Sequence, residues 1–75
     1  MRSMAIEHLS VNSGGNVKGA AYDLDTQTLY VEYQGGSYQY HPVNEEQALE
    51  LSRASSATQF IRQVIAATAI GTRIS

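Results

Sequence analysis

Tyrosines carry most of the chemistry that this sequence offers. Four of its five, Tyr30, Tyr33, Tyr38 and Tyr40, fall between positions 30 and 40, with Tyr22 just upstream. A tyrosine brings a π face on which a planar ligand can stack and a hydroxyl that donates or accepts. Near Tyr30 stand Glu32, Gln39 and His41, polar side chains able to meet the edge of a base. Arg53, Arg62 and Arg73 follow, each suited to bidentate contact with a phosphate. Tyr30, Glu32, Gln39, His41, Arg53, Arg62 and Arg73 are therefore the ligand-binding candidates. Each has a plainer reading beside it, as an ordinary half-solvated sheet face for the first four and as solvated surface charge for the arginines.

Catalytic chemistry is harder to assemble. A serine hydrolase needs a base held by an orienting carboxylate, and His41 with Glu32 and any serine has no nucleophile motif behind it. Glu45-Glu46 stands where the first turn of a helix favours acidic side chains. There is no cysteine, which excludes disulfides and thiolate metal sites, and His8 and His41 are too few to hold a structural metal alone. Asn12-Ser13-Gly14-Gly15-Asn16 could turn backbone N–H groups toward an anion, but it matches neither the phosphate-loop nor the dinucleotide pattern and reads as a turn. The expectation is a non-catalytic protein without metal or cofactor.

The elements that position these residues follow from period and punctuation. Val17–Asp23, Thr28–Gln34 and Ser37–His41 read as three strands, the last ended by Pro42. If Gly35-Gly36 is the whole second turn, Gln34 faces Ser37, Tyr33 faces Tyr38, Val31 faces Tyr40 and Leu29 faces Pro42. A two- or four-residue first turn places Asp23 opposite Thr28, Tyr22 opposite Leu29 and Ala20 opposite Val31; a three-residue turn would invert that strand. Leu29, Val31, Tyr33, Tyr38 and Tyr40 then share one face, with their hydroxyls at its rim. The other face carries Val17, Gly19, Ala21, Tyr30, Glu32, Gln39 and His41, with Tyr30 between Ala21 and His41 and Glu32 between Gly19 and Gln39. Lys18 points to the first face and must snorkel.

Two helices follow. Asn44 can cap one that starts Glu45-Glu46 and has Ala48, Leu51 and Ala54 as its stripe. Ser55 or Ser56 can cap the second, where Phe60, Ile61, Val64, Ile65 and Thr68 recur at helical spacing, with Gly71 as its stop. The architecture expected is α+β: a three-stranded antiparallel meander with two C-terminal helices on one face, and Met4–Val11 as a candidate extra N-terminal strand. Residues 1–75 form a single domain, with 1–12 an N-terminal extension or edge strand and 68–75 a C-terminal tail.

A chain of 75 residues has a thin stability margin, which makes a homo-oligomer a reasonable expectation. Five basic against seven acidic residues, a formal net charge of -2, argue against a duplex nucleic-acid binder. No apolar run approaches a membrane span and no secretory leader is evident, so the cytoplasm is the expected compartment.

Tyr22-Asp23, Leu29-Tyr30-Val31-Glu32-Tyr33, Gly36-Ser37-Tyr38-Gln39-Tyr40 and Val43 together resemble the KTSC domain, a family named for the C-terminus of some lysyl-tRNA synthetases and also found as small free-standing bacterial and phage proteins. Its central Tyr-x-Tyr is matched by Tyr38-Gln39-Tyr40. Ala54, Ser56, Phe60 and Ile65 match a second stretch. Thr58, Ile61 and Ala21 depart from it, standing where the family has Gly, an aromatic and Gly, and Gly14 and Gly15 replace its serines. The resemblance spans residues 13–66. It implies the α+β fold, a motif and core role for Tyr22, Tyr33, Tyr38, Tyr40 and Phe60, and, by the synthetase context alone, RNA binding. The leading expectation is a module for a nucleotide-containing ligand, an RNA segment or a free nucleotide held by a small homo-oligomer. The alternative is a protein-interaction module or phage-type inhibitor of a host protein, using an exposed patch of Leu49, Ile70 and Ile74.

Overall fold

Asp23 turns the chain at the first hairpin, accepting at its carboxylate from the backbone N–H of Asp25 and Thr26, while Gln27 takes the left-handed conformation that closes the four-residue loop. The computed structural model describes residues 6–9, as backbone, and 17–74. Among these the sheet has five strands, β1 (Ile6–Leu9), β2 (Val17–Asp23), β3 (Thr28–Tyr33), β4 (Gly36–His41) and β5 (Ile70–Arg73). They lie in that order and every neighbouring pair is antiparallel. Strand β1 realises the candidate N-terminal strand. The Asn12–Asn16 turn lies outside the described residues.

The first hairpin has the expected register: Asp23 faces Thr28, Tyr22 faces Leu29 and Ala20 faces Val31. The second is displaced. The turn is Gln34-Gly35, so Tyr33 pairs with Gly36, Val31 with Tyr38 and Leu29 with Tyr40. Gly36, at φ 154°, belongs to the strand rather than to the loop. A displacement of one residue would exchange the faces; this one is of two, and each side chain keeps its side.

Strand β2 departs in another way. A bulge between Val17 and Gly19 leaves Lys18 as an extra residue, and Val17 pairs with Tyr33. Val17 therefore enters the core at 1% exposure instead of lying on the outer face, and Lys18 is exposed instead of snorkelling across the inner one. The bulge reverses the alternation where continuing it would bury an amine and expose a valine.

Asn44 caps helix α1 (Glu45–Arg53), accepting from Gln47 N–H at 2.7 Å while the Gln47 side chain accepts from Asn44 N–H. Helix α2 is capped by Ser56 and runs as α-helix over Ala57–Phe60, as π-helix over Ile61–Ile65 and as α-helix over Ala66–Thr68. The helices cover one sheet face. Ala48, Leu51, Ala57, Ile61 and Ile65 form a single core with Val17, Ala20, Tyr22, Leu29, Val31 and Val43. Burying a side chain such as Leu29 stabilises the fold by about 1.5–3 kcal/mol. The Tyr22 hydroxyl donates to the Val43 carbonyl, and Val43 N–H donates to the Gln27 carbonyl at 2.8 Å. These bonds tie the segment after the His41-Pro42 cis peptide to the first hairpin.

The expected C-terminal tail is a strand. Helix α2 ends at Thr68, and β5 pairs Ile70 with His41, Gly71 with Tyr40, Thr72 with Gln39 and Arg73 with Tyr38. Gly71 thus lies within a strand instead of stopping a helix.

Candidate functional site

The sheet face opposite the helices is uncovered by the described residues, and the ladder fixes what it presents. One row runs Ala21, Tyr30, Gln39, Thr72, with His8 paired to Ala21 at its far end. The next runs Gly19, Glu32, Ser37, extended by Ile74, whose N–H donates to the Ser37 carbonyl at 2.8 Å. Between the rows lies a shallow depression of about 260 Å³ lined by Gly19, Ala21, Tyr30, Glu32, Ser37 and Ile74. The small residues make it. A β-carbon placed on Gly19 would meet nothing within 4 Å, so the floor beside Glu32 is open. Tyr30 is half-buried, Glu32 is exposed and Ile74 forms an apolar wall at 48% exposure.

Of the residues nominated from sequence, Tyr30 and Glu32 line this depression, and Gln39 lies beside Tyr30 on the same face. The neighbour of Tyr30 on β4 is Gln39 rather than His41, and that of Glu32 is Ser37 rather than Gln39, as the two-residue displacement requires. His41 is exposed and pairs with Ile70. The arginines do not join the group. Arg53 ends α1 and Arg62 lies on α2, both on the helical side. Arg73 pairs with Tyr38, a residue of the helix-facing side, and donates to the Gly35 carbonyl at 3.1 Å. Ser37 and Ile74 were not among the ligand-binding candidates, Ile74 having been named only for the apolar docking patch. Ile74 is placed here only by the pairing of β5, a strand whose four residues are all exposed.

The inner face holds the remaining tyrosines at its rim. Tyr33 and Tyr38 meet edge to face with ring centroids 5.5 Å apart. Tyr38 and Tyr40 stack at 6.4 Å with planes inclined by 20°. The Tyr33 and Tyr40 hydroxyls are hydrogen-bonded at 2.8 Å. Burial first, then the bond to Tyr40, pushes the Tyr33 phenol far above the usual tyrosine range. Both rings pack against the core. The cluster is thus structural in its rings, and Tyr33 and Tyr40 line a second cavity of about 250 Å³ with Thr58, Ile61, Arg62 and Ala66.

The three exposed apolar residues of the proposed protein-docking patch do not form one surface. Leu49 lies on α1, which packs against the helix-facing side of the sheet, whereas Ile70, paired to His41, and Ile74 lie on the outer face. No helix among the described residues is long and apolar enough to cross a membrane, and no group of three His, Cys, Asp or Glu that could hold a metal occurs among them.

The model of the KTSC domain matches residues 13–68. The chain is similar to a solved structure of a KTSC domain protein from Yersinia pestis, with a TM-score of 0.81 and 26% identity over 95% of this chain and 100% of that one. No curated protein matches.

Proposed function

Since the chain belongs to the KTSC domain family, whose fold it shares with the Yersinia pestis protein, we propose that it is a non-catalytic binding module that holds a nucleotide-containing ligand by stacking a base on Tyr30. One observation carries this reading: a half-exposed phenol beside Gly19 and Ala21 in an uncovered depression of about 260 Å³. A planar ring laid on Tyr30 meets Ile74 at one side. Glu32 can accept from an exocyclic amine of the base, and Ser37 and Gln39 can donate to its ring nitrogens or carbonyls. Stacking on a tyrosine is worth about 1–3 kcal/mol per base.

Charge sets the size of the ligand. The nearest side chain of formal charge in the depression is the acidic Glu32, and the chain carries net -2. A single nucleotide or a few unpaired residues of RNA suits this surface better than a long polyanion. The outer face also supports a second reading. Ile70 is 76% exposed there, on the same face of β5 as Ile74, and a second copy of this chain or a host protein could cover both. A second copy would wall the depression and turn a shallow platform into a pocket, which joins the homo-oligomer to the first reading.

Native mass spectrometry of the protein purified from cells separates the two. A co-purifying nucleotide, or an oligonucleotide adduct, supports the base platform. A stoichiometric foreign protein with no nucleotide supports the interaction module and removes the ground for a base on Tyr30.

A further inference from the structure

We propose that the cavity between α2 and the Tyr33 and Tyr40 side chains of β3 and β4 is a second binding site, for a small oxyanion, with Arg62 and the free proton of the tyrosine hydroxyl pair as its donors. It lies on the opposite sheet face from Tyr30, so a nucleotide on the outer platform of the same copy does not reach it. The two sites are independent.

The proton count of the hydroxyl pair is the first ground. The two phenol oxygens are 2.8 Å apart, so one donates and the other accepts. Each phenol has one proton. The accepting hydroxyl keeps its own, and no acceptor for it occurs among the described residues. The strongly raised Tyr33 phenol fits Tyr33 as the donor, which leaves Tyr40 with the proton to give. Both hydroxyl-bearing side chains line the cavity.

Arg62 is the second ground. It is exposed, lines the same cavity and makes no ion pair among the described residues. Its helix is irregular at that point. Within the π-helical stretch Ile61–Ile65, Ile61 and Ile65 are buried while Arg62 is exposed and lines the cavity. Insertions of this kind recur at functional sites. A guanidinium fork and a phenol O–H on side chains that line one cavity suit the oxygens of a carboxylate or a phosphate, because charge-assisted bonds to an oxyanion are the strong ones.

The test is a titration of the full-length ¹⁵N-labelled protein, followed by two-dimensional NMR, with sodium phosphate and separately with sodium acetate. Sodium chloride at matched ionic strength is the control. Saturable shifts of the Arg62 side-chain N–H and of the amides of Ile61–Ala66 are expected with phosphate, acetate or both. Saturation by phosphate alone identifies a phosphate site, and saturation by acetate as well identifies a general oxyanion site. Arg62→Gln should abolish the shifts. Tyr40→Phe should weaken the affinity about 2- to 10-fold. Tyr30→Ala should leave it unchanged, so failure of the base platform is separable from failure of this site. Equal shifts with chloride, shifts that persist in Arg62→Gln, or shifts lost in Tyr30→Ala would overturn the proposal.

Discussion

Gly71 and Tyr40 occupy a space that admits a phenol ring or a β-carbon but not both. A β-carbon on Gly71 would lie 2.6 Å from Tyr40 Cε1 and 3.0 Å from Cδ1. The ring lies against the backbone of β5 at this point and is held by the bond of its hydroxyl to Tyr33 and by stacking on the Tyr38 ring. It cannot swing away without breaking both contacts. Gly71→Val should therefore destabilise the fold by about 1–3 kcal/mol. Urea unfolding checks the magnitude. Amide exchange checks the location, since loss of protection should concentrate in Ile70–Ile74.

The two buried tyrosine hydroxyls should not be equivalent. Tyr22 is 5% exposed and its hydroxyl satisfies the Val43 carbonyl. Tyr22→Phe orphans that carbonyl in a dry site and should cost about 1–3 kcal/mol. Tyr33→Phe releases the Tyr40 hydroxyl at a half-buried rim where water can replace the bond, and about 0.5–1.5 kcal/mol is expected. Paired denaturation curves measure the difference, and Tyr22→Phe should be the weaker protein.

Stability should hold through neutral pH and fall in alkali. Tyr33 is raised by burial and by its bond to Tyr40. Tyr22 is raised by burial and then by the carboxylates of Glu45 and Asp23. Both are raised above the unfolded value of 10.0. A phenol raised in the folded state contributes stability that is whole below the unfolded pKa and is lost as pH climbs through the folded one. Urea midpoints should accordingly hold to about pH 9 and drop above about pH 10. Tyr33→Phe should flatten that drop. A midpoint that rises in alkali would contradict the assignment.

Much of this was legible in the sequence, and the failures have physical reasons. Aromatic and β-branched residues between Thr28 and His41 announced both strands and their facing, because a period of two survives a turn misplaced by two residues. Asn44 before Glu45-Glu46 announced the start of α1. The bulge at Lys18 left no local sign: nothing in Val17-Lys18-Gly19 tells where alternation breaks, and the burial of Val17 decides it only in three dimensions. Strand β5 was missed because all four of its residues are exposed and it has a glycine at its centre, so it has no apolar alternation to read. The π stretch was hidden for a related reason, since Ala57, Ile61 and Ile65 fit the spacing of an ordinary helix. The candidate site was legible in Tyr30, Glu32 and Gln39. Its wall, Ile74, depended on the strand that could not be seen.

Ile74 offers a check that does not touch the ladder. It is 48% exposed and forms one wall of the depression. Ile74→Ser should leave the thermal midpoint nearly unchanged while weakening a stacked base about 3- to 10-fold through lost apolar contact. Equilibrium dialysis against a labelled nucleotide reads the affinity. A large loss of stability would instead assign Ile74 to the core.

The most direct measurement is isothermal calorimetry of wild type and Tyr30→Ala against the four ribonucleoside monophosphates and a short single-stranded RNA. The account predicts saturable binding of at least one of them to the wild type, and a loss of about 5- to 150-fold in Tyr30→Ala with the fold intact by circular dichroism. Absence of heat from every ligand, or equal affinity in the two proteins, would contradict it.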